Sequence, residues 1–156
     1  MAKRKKQRQA TFKILENEVT PALQLQADTW RHMLEISAEG MSALLLGSQK
    51  QPPAAATQMF PLELQTIDFD TLLVAWLEEL LWLGEQQDMV FHGIEILQLD
   101  FEARCTLTAM VEGSKVSSSN RLRLHKVGAP GPRVRETKEG LRCQVFFASP
   151  RTLPGD

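Results

Sequence analysis

The run Phe69 to Gly84, Phe-Asp-Thr-Leu-Leu-Val-Ala-Trp-Leu-Glu-Glu-Leu-Leu-Trp-Leu-Gly, is the most apolar stretch of the chain and the strongest constraint on its fold. Leu72, Leu73, Trp76, Leu77, Leu80 and Leu81 recur at three- and four-residue intervals, which on a helix builds one wide apolar stripe. Val74, Ala75, Trp82 and Leu83 leave polar surface only at Asp70, Glu78 and Glu79. Each large side chain fully buried contributes roughly 1.5–3 kcal/mol, so the spacing predicts a core helix. A bilayer span takes about 20 apolar residues, and this run is shorter and carries Glu78 and Glu79 in its middle. Asp68 or Asp70 is placed to N-cap the helix, and Gly84 to close it as a C′ residue able to take positive φ.

A helix this apolar needs other elements to cover it, and 156 residues with 43% apolar content suffice for one domain. The chain opens on charge, so no signal peptide is expected, and no run is long enough for a membrane. Both features predict a soluble, cytoplasmic protein. A formal net charge of −1 conceals a division along the chain. Lys3, Arg4, Lys5, Lys6 and Arg8 stand in a first segment without an acid, the middle is acidic, and the part from Arg121 onward is basic. The N-terminal tail is suited either to touching RNA or to keeping the chain soluble, and it lacks aromatics for base stacking. Cys105 and Cys143 lie in strand-like patterns without Cys-x-x-Cys spacing, which predicts buried free thiols rather than zinc ligands.

Phe12 to Glu16 and Pro21 to Gln26 read as strands joined by a turn at residues 17–20. Asp28 is expected to cap a helix presenting Trp30, Met33, Leu34, Ser37, Met41, Leu44 and Leu45 on one face and ending at Gly47. Gln49 to Thr57 reads as a loop, and Phe60 to Thr66 as a strand leading into the apolar helix. Met89 to Leu99 and Phe101 to Glu112 predict a hairpin turning at Asp100, with Glu112 to Asn120 as a loop. Arg121 to Lys126 reads as a strand with a basic outer face, interrupted by Val127 to Pro132. Arg133 to Thr137 and Leu141 to Phe147 predict a hairpin around Lys138-Glu139-Gly140. Two helices and about seven strands make an α+β domain, its helices packed on antiparallel-rich mixed sheets, over residues 10–149. Residues 1–9 are then a basic tail and 150–156 a flexible one.

These residues resemble the archeases, small proteins that assist a GTP-dependent RNA-splicing ligase of the RtcB type. The likeness runs without gaps from Phe12 to Leu46, where Asn17-Glu18-Val19-Thr20 matches the family's His-Thr-Ala-Asp and Ala38-Glu39-Gly40-Met41 its Ala-x-Gly-Met. It continues through Leu72 to Leu81, similar to Leu-Leu-x-x-Trp-Leu-x-Glu-Leu-Leu, and ends on Gly140 to Phe147, similar to Gly-x-x-x-x-Val-x-Phe-Asp. The resemblance implies a single archease-like domain and a non-enzymatic accessory role in tRNA splicing or RNA repair. It also implies a divalent-cation site built from the two family aspartates, which suits Ca²⁺ or Mg²⁺.

The corresponding positions here are Thr20 and Ala148, with Asn17 at the histidine position, so no metal is expected to bind. Glu18 remains as one weak candidate ligand for Ca²⁺ or Mg²⁺. The family's Gly-Glu falls on Gly113-Ser114, and its Lys-Ala-x-Thr on His125-Lys126-Val127-Gly128. Arg121, Arg123, His125 and Lys126 are the expected partner-binding residues, and Arg133 and Arg135 extend the basic face, for an RNA ligase, another protein or RNA. His32 reads as a solvated helix residue and His92 as structural, and no nucleophile elbow, phosphate-cradling loop or paired-carboxylate motif points to an enzyme. The second reading is an interaction module that keeps the fold and has lost both metal binding and ligase activation.

Overall fold

The computed structural model of the protein describes residues 9–15, 20–47, 57–117 and 121–148. Along the chain it places β1 (Ala10–Ile14), β2 (Ala22–Ala27), α1 (Trp30–Leu46), β3 (Thr57–Thr66), α2 (Phe69–Gln87), β4 (Met89–Asp100), β5 (Cys105–Lys115), β6 (Lys126–Val127), β7 (Arg135–Thr137) and β8 (Gly140–Ala148). The fold is α+β as the pattern predicts, with eight strands among the described residues rather than about seven. Every pair among them is antiparallel, in line with the antiparallel-rich sheets expected.

The strands form two sheets. One runs β1-β2-β8-β6 with β7 also on β8, and the other runs β3-β5-β4. Two short strands share one edge of β8: β7 pairs with Gly140 to Arg142, and β6 with Phe147 and Ala148. Between them the chain bulges through Gly128 to Val134, which includes the cis bond Ala129–Pro130. Proline has no N–H to give a ladder, so Pro130 and Pro132 keep this stretch out of the sheet.

Helix α1 packs against β1, β2 and β4, and α2 against β3, β4 and β6, so the helices tie the two sheets into one core. Leu72, Leu73, Trp76 and Leu77 on α2 are fully inaccessible, as are Met33 and Leu34 on α1. The Trp76 indole N–H donates to the carbonyl of Leu34 at 2.9 Å, satisfying its polar atom inside an apolar interface.

Three local expectations are corrected. Thr29, not Asp28, caps α1: its Oγ1 accepts from the His32 N–H at 3.0 Å, while the Asp28 carboxylate pairs with His32 Nδ1 at 2.5 Å. Gly84 does not end α2, which continues to Gln87 and is closed by Asp88 in the left-handed region (φ 58, ψ 50). A Cβ on Gly84 would stand 2.8 Å from the carbonyl oxygen of Met89, so the glycine allows β4 to start against the helix. Arg121 to His125 is not a strand, because its backbone bonds go to a helix end and a strand end rather than to a ladder. Leu122 N–H donates to Leu45 O at 2.7 Å and His125 N–H to Ala148 O at 2.7 Å. At the other end of α2 the capping residue is Asp68, whose carboxylate accepts from the Thr71 N–H at 2.8 Å. Hydrogen bonds from Thr71 hold its carboxyl below the usual carboxylate range.

Candidate functional site

The positions where the family resemblance puts metal ligands meet at one rim of the first sheet. Strand β2 runs antiparallel to β8, and the Phe147 N–H donates to Pro21 O at 2.8 Å, which brings Thr20 to the end of β8 beside Ala148. Lys126 stands opposite Ala148 on the other side, with His125 one residue before it. The side chains of His125 and Lys126 are exposed, and Thr20 and Ala148 are half-buried. Asn17 and Glu18 lie outside the described residues. Topology thus assembles the rim, but Thr20 and Ala148 supply one hydroxyl and one methyl where a hard cation is held by oxygen ligands that include at least one or two carboxylates. The ammonium of Lys126 adds a like charge. The donor set at these positions does not fit Ca²⁺ or Mg²⁺, and no group of three or more His, Cys, Asp or Glu among the described residues is placed to hold a metal.

Two carboxylates on α2 are committed to backbone N–H groups of the segment from β6 to β7. Glu78 accepts from the backbone N–H of Val127 at 3.1 Å, and Asp70, two turns earlier, accepts from Val134 N–H at 3.0 Å. Sequence spacing reads Asp70 and Glu78 as the water-facing side of α2, and instead they pin the two ends of the bulge between β6 and β7.

Arg121 and Arg123 separate in the structure. The Arg121 side chain is 4% exposed; its guanidinium contacts Glu85 Oε2 and Asp88 Oδ1, each at 2.9 Å, while its Nε–H donates to Val116 O at 3.0 Å. It neutralises the C-terminal end of α2, where the helix dipole favours a cation, and is a fold residue rather than a free contact. Arg123 is 71% exposed and lies 3.8 Å from Glu85 Oε1. Of the expected partner-binding group, Arg123, His125 and Lys126 are available at the surface.

His92 Nε2 and Ser114 Oγ lie 3.0 Å apart, at a β-bulge of β4 on β5. Cys105 and Cys143 are buried and unpaired, as expected. Burial pushes the Cys143 thiol up to about 12, with the Asp70 carboxylate adding to the shift, and burial likewise raises Cys105. Neither is a ready thiolate at neutral pH.

Sequence reading missed Arg142. Alternation in β8 puts Leu141, Cys143, Val145 and Phe147 in the core and Arg142 and Gln144 on the exposed face. The signal was present, but only the β7–β8 register shows that Arg142 stands opposite Arg135.

No helix among the described residues is long and apolar enough to cross a membrane. No curated protein sequence matches the chain. Among solved structures, protein 1598 of Methanobacterium thermoautotrophicum is similar in fold, with a TM-score of 0.64 over 88% of this chain and 97% of that one at 16% identity. Residues 12–147, nearly the whole described domain, match the Archease protein family. The chain therefore belongs to the archease family.

Proposed function

We propose that this protein is a non-enzymatic accessory factor of an RtcB-type RNA-splicing ligase, acting in the cytoplasm in tRNA splicing or RNA repair. It works by protein contact and takes no divalent cation. The observation that carries the reading is the family match over residues 12–147. The rim geometry supports the second clause, since Thr20 and Ala148 stand together without a carboxylate. Arg123, His125 and Lys126 are the contact residues, exposed beside that rim on a segment held by Arg121 and Glu78. The test is a single-turnover ligation assay with the cognate ligase. Faster turnover on adding the full chain, reduced by R123E/K126E, is the expected result.

A second reading is favoured by the same rim: a module that keeps the fold and binds a protein partner without activating a ligase. Unchanged ligase turnover at saturating protein would select it.

A further inference from the structure

The solvent face of the first sheet carries a set of cations with no counter-charge among the described residues. In the registers of β1, β2, β8, β7 and β6, Lys13 stands opposite Gln24, Gln24 opposite Gln144, Arg135 opposite Arg142, and Lys126 opposite Ala148. Alternation puts all of these on the face away from the buried Leu23, Leu25, Cys143 and Val145. Arg133 joins them: Arg133, Arg135, Arg142, Gln24, Gln144 and Phe146 line one open concavity, with Pro130 in its wall.

Lys13, Lys126, Arg133, Arg135 and Arg142 are all exposed, and their side chains form no hydrogen bond or ion pair with a described residue. The registers place no carboxylate among them. Glu136 stands opposite the buried Leu141, on the other parity, and Glu139 sits in the turn at the end of the face. The second sheet is the reverse, since its solvent face carries Glu63, Glu95 and Glu112.

Like charges directly opposite across two strands destabilise a sheet, so the Arg135–Arg142 pair opposes folding unless an anion lies between the two guanidiniums. Each guanidinium presents a planar fork of N–H donors that matches a phosphate oxygen pair. The strip from β2 across β8 to β7 is roughly 10 Å wide at about 4.8 Å per strand, the width of one polynucleotide strand and not of a duplex. The paired amides of Gln24 and Gln144 offer both donors and acceptors to base edges, and the half-buried Phe146 ring offers an apolar surface beside them. An acidic protein surface would be met by the arginines but would gain little from paired amides and a ring.

We propose that this face binds the phosphodiester backbone of a single-stranded nucleic acid, with Arg133, Arg135 and Arg142 on phosphates and Gln24, Gln144 and Phe146 toward the bases. The concavity shares its sheet face with Lys126 but is lined by other residues than Arg123, His125 and Lys126, and the proposal does not rest on the ligase reading.

Fluorescence anisotropy of the full chain with labelled mixed-sequence RNA and DNA oligonucleotides of about 12 nucleotides tests it. Binding is expected to fall steeply between about 50 and 200 mM salt. R133Q/R135Q/R142Q, folded by circular dichroism, is expected to weaken it at least about tenfold and to reduce the slope of log K against log salt by about 2, three phosphates' worth on a single strand. Photo-cross-links from 4-thiouridine in RNA bound to the unaltered protein are expected within residues 130–146, which tests the site without a variant. Three results would overturn the proposal. They are unchanged affinity in the triple arginine variant, loss of binding on substituting only Lys3, Arg4, Lys5, Lys6 and Arg8, and binding of polyglutamate as tight as that of RNA.

Discussion

Arg135 and Arg142 face one another directly across the β7–β8 pair, both exposed and without a carboxylate partner among the described residues. In the free protein this is a repulsion across a short hairpin. R142Q is therefore expected to raise stability slightly, by about 0.5 kcal/mol on the scale of cross-strand pairs, with the gain shrinking as salt screens the charges. Thermal unfolding at low and high salt measures it. A lowered midpoint at low salt would mean that Arg142 makes a stabilising contact instead.

The two arginines of the segment before β6 should separate cleanly on substitution. Arg121 holds Val116, Glu85 and Asp88 with its guanidinium almost out of water, so R121A leaves a buried carbonyl and a helix end without their partner. A loss of about 1–3 kcal/mol is expected, discounted because Glu85 and Asp88 keep access to solvent. Arg123 makes one long, exposed pair, and R123A should cost under about 0.5 kcal/mol. Urea denaturation of the two variants gives the comparison, and equal losses would contradict the assignment of roles.

Alanine is a better helix former than glycine by about 1 kcal/mol, yet G84A is expected to destabilise. Its Cβ would meet the Met89 carbonyl oxygen at 2.8 Å, a backbone atom that cannot rotate away, and the start of β4 would have to move off α2. The net cost expected is about 1–3 kcal/mol, in the range of overpacked cores. A stable G84A with an unshifted amide spectrum around Met89 would show that the approach is looser than described.

Cys143 sets a pH dependence on the alkaline side. Its thiol is held up to about 12 by burial, against an ordinary value of 9.0. Between those values the unfolded chain has lost the proton and the folded one keeps it, so stability must fall as pH rises through that window. C143S or C143A should flatten the decline, read as the denaturation midpoint at pH 8, 9 and 10. At pH 8 a thiol reagent should modify Cys143 only as fast as the protein opens.

The rim beside β8 predicts its own repair. Calorimetric titration of the unaltered protein with Ca²⁺ or Mg²⁺ is expected to give no binding in the micromolar range. T20D/A148D places two carboxylates at positions that β2 and β8 bring together, and should bind Ca²⁺ measurably, since hard cations favour such oxygens. Micromolar Ca²⁺ binding by the unaltered chain would overturn the metal-free reading of the rim.

How much was legible beforehand depends on the range of the interaction. Helix α2 was visible because its stripe repeats every three or four residues and needs no knowledge of partners. Gly84 was misread because its conflict is with Met89, a contact that local propensity does not see. Arg121 to Lys126 alternates like a strand, but Leu122 bonds to the end of α1 and Val127 to Glu78, and both partners are distant in sequence.

By itself the sequence determined the core faces of both helices, the alternation that buries Leu141, Cys143, Val145 and Phe147, and the absence of a carboxylate at Thr20 and Ala148. Those properties are encoded by residue type and short period. Only the tertiary structure decided that Thr20, Ala148 and Lys126 share one rim, that Arg121 is a strut, and that Arg133, Arg135 and Arg142 converge. Those arrangements follow from strand register and helix docking, which are set by packing between segments far apart along the chain.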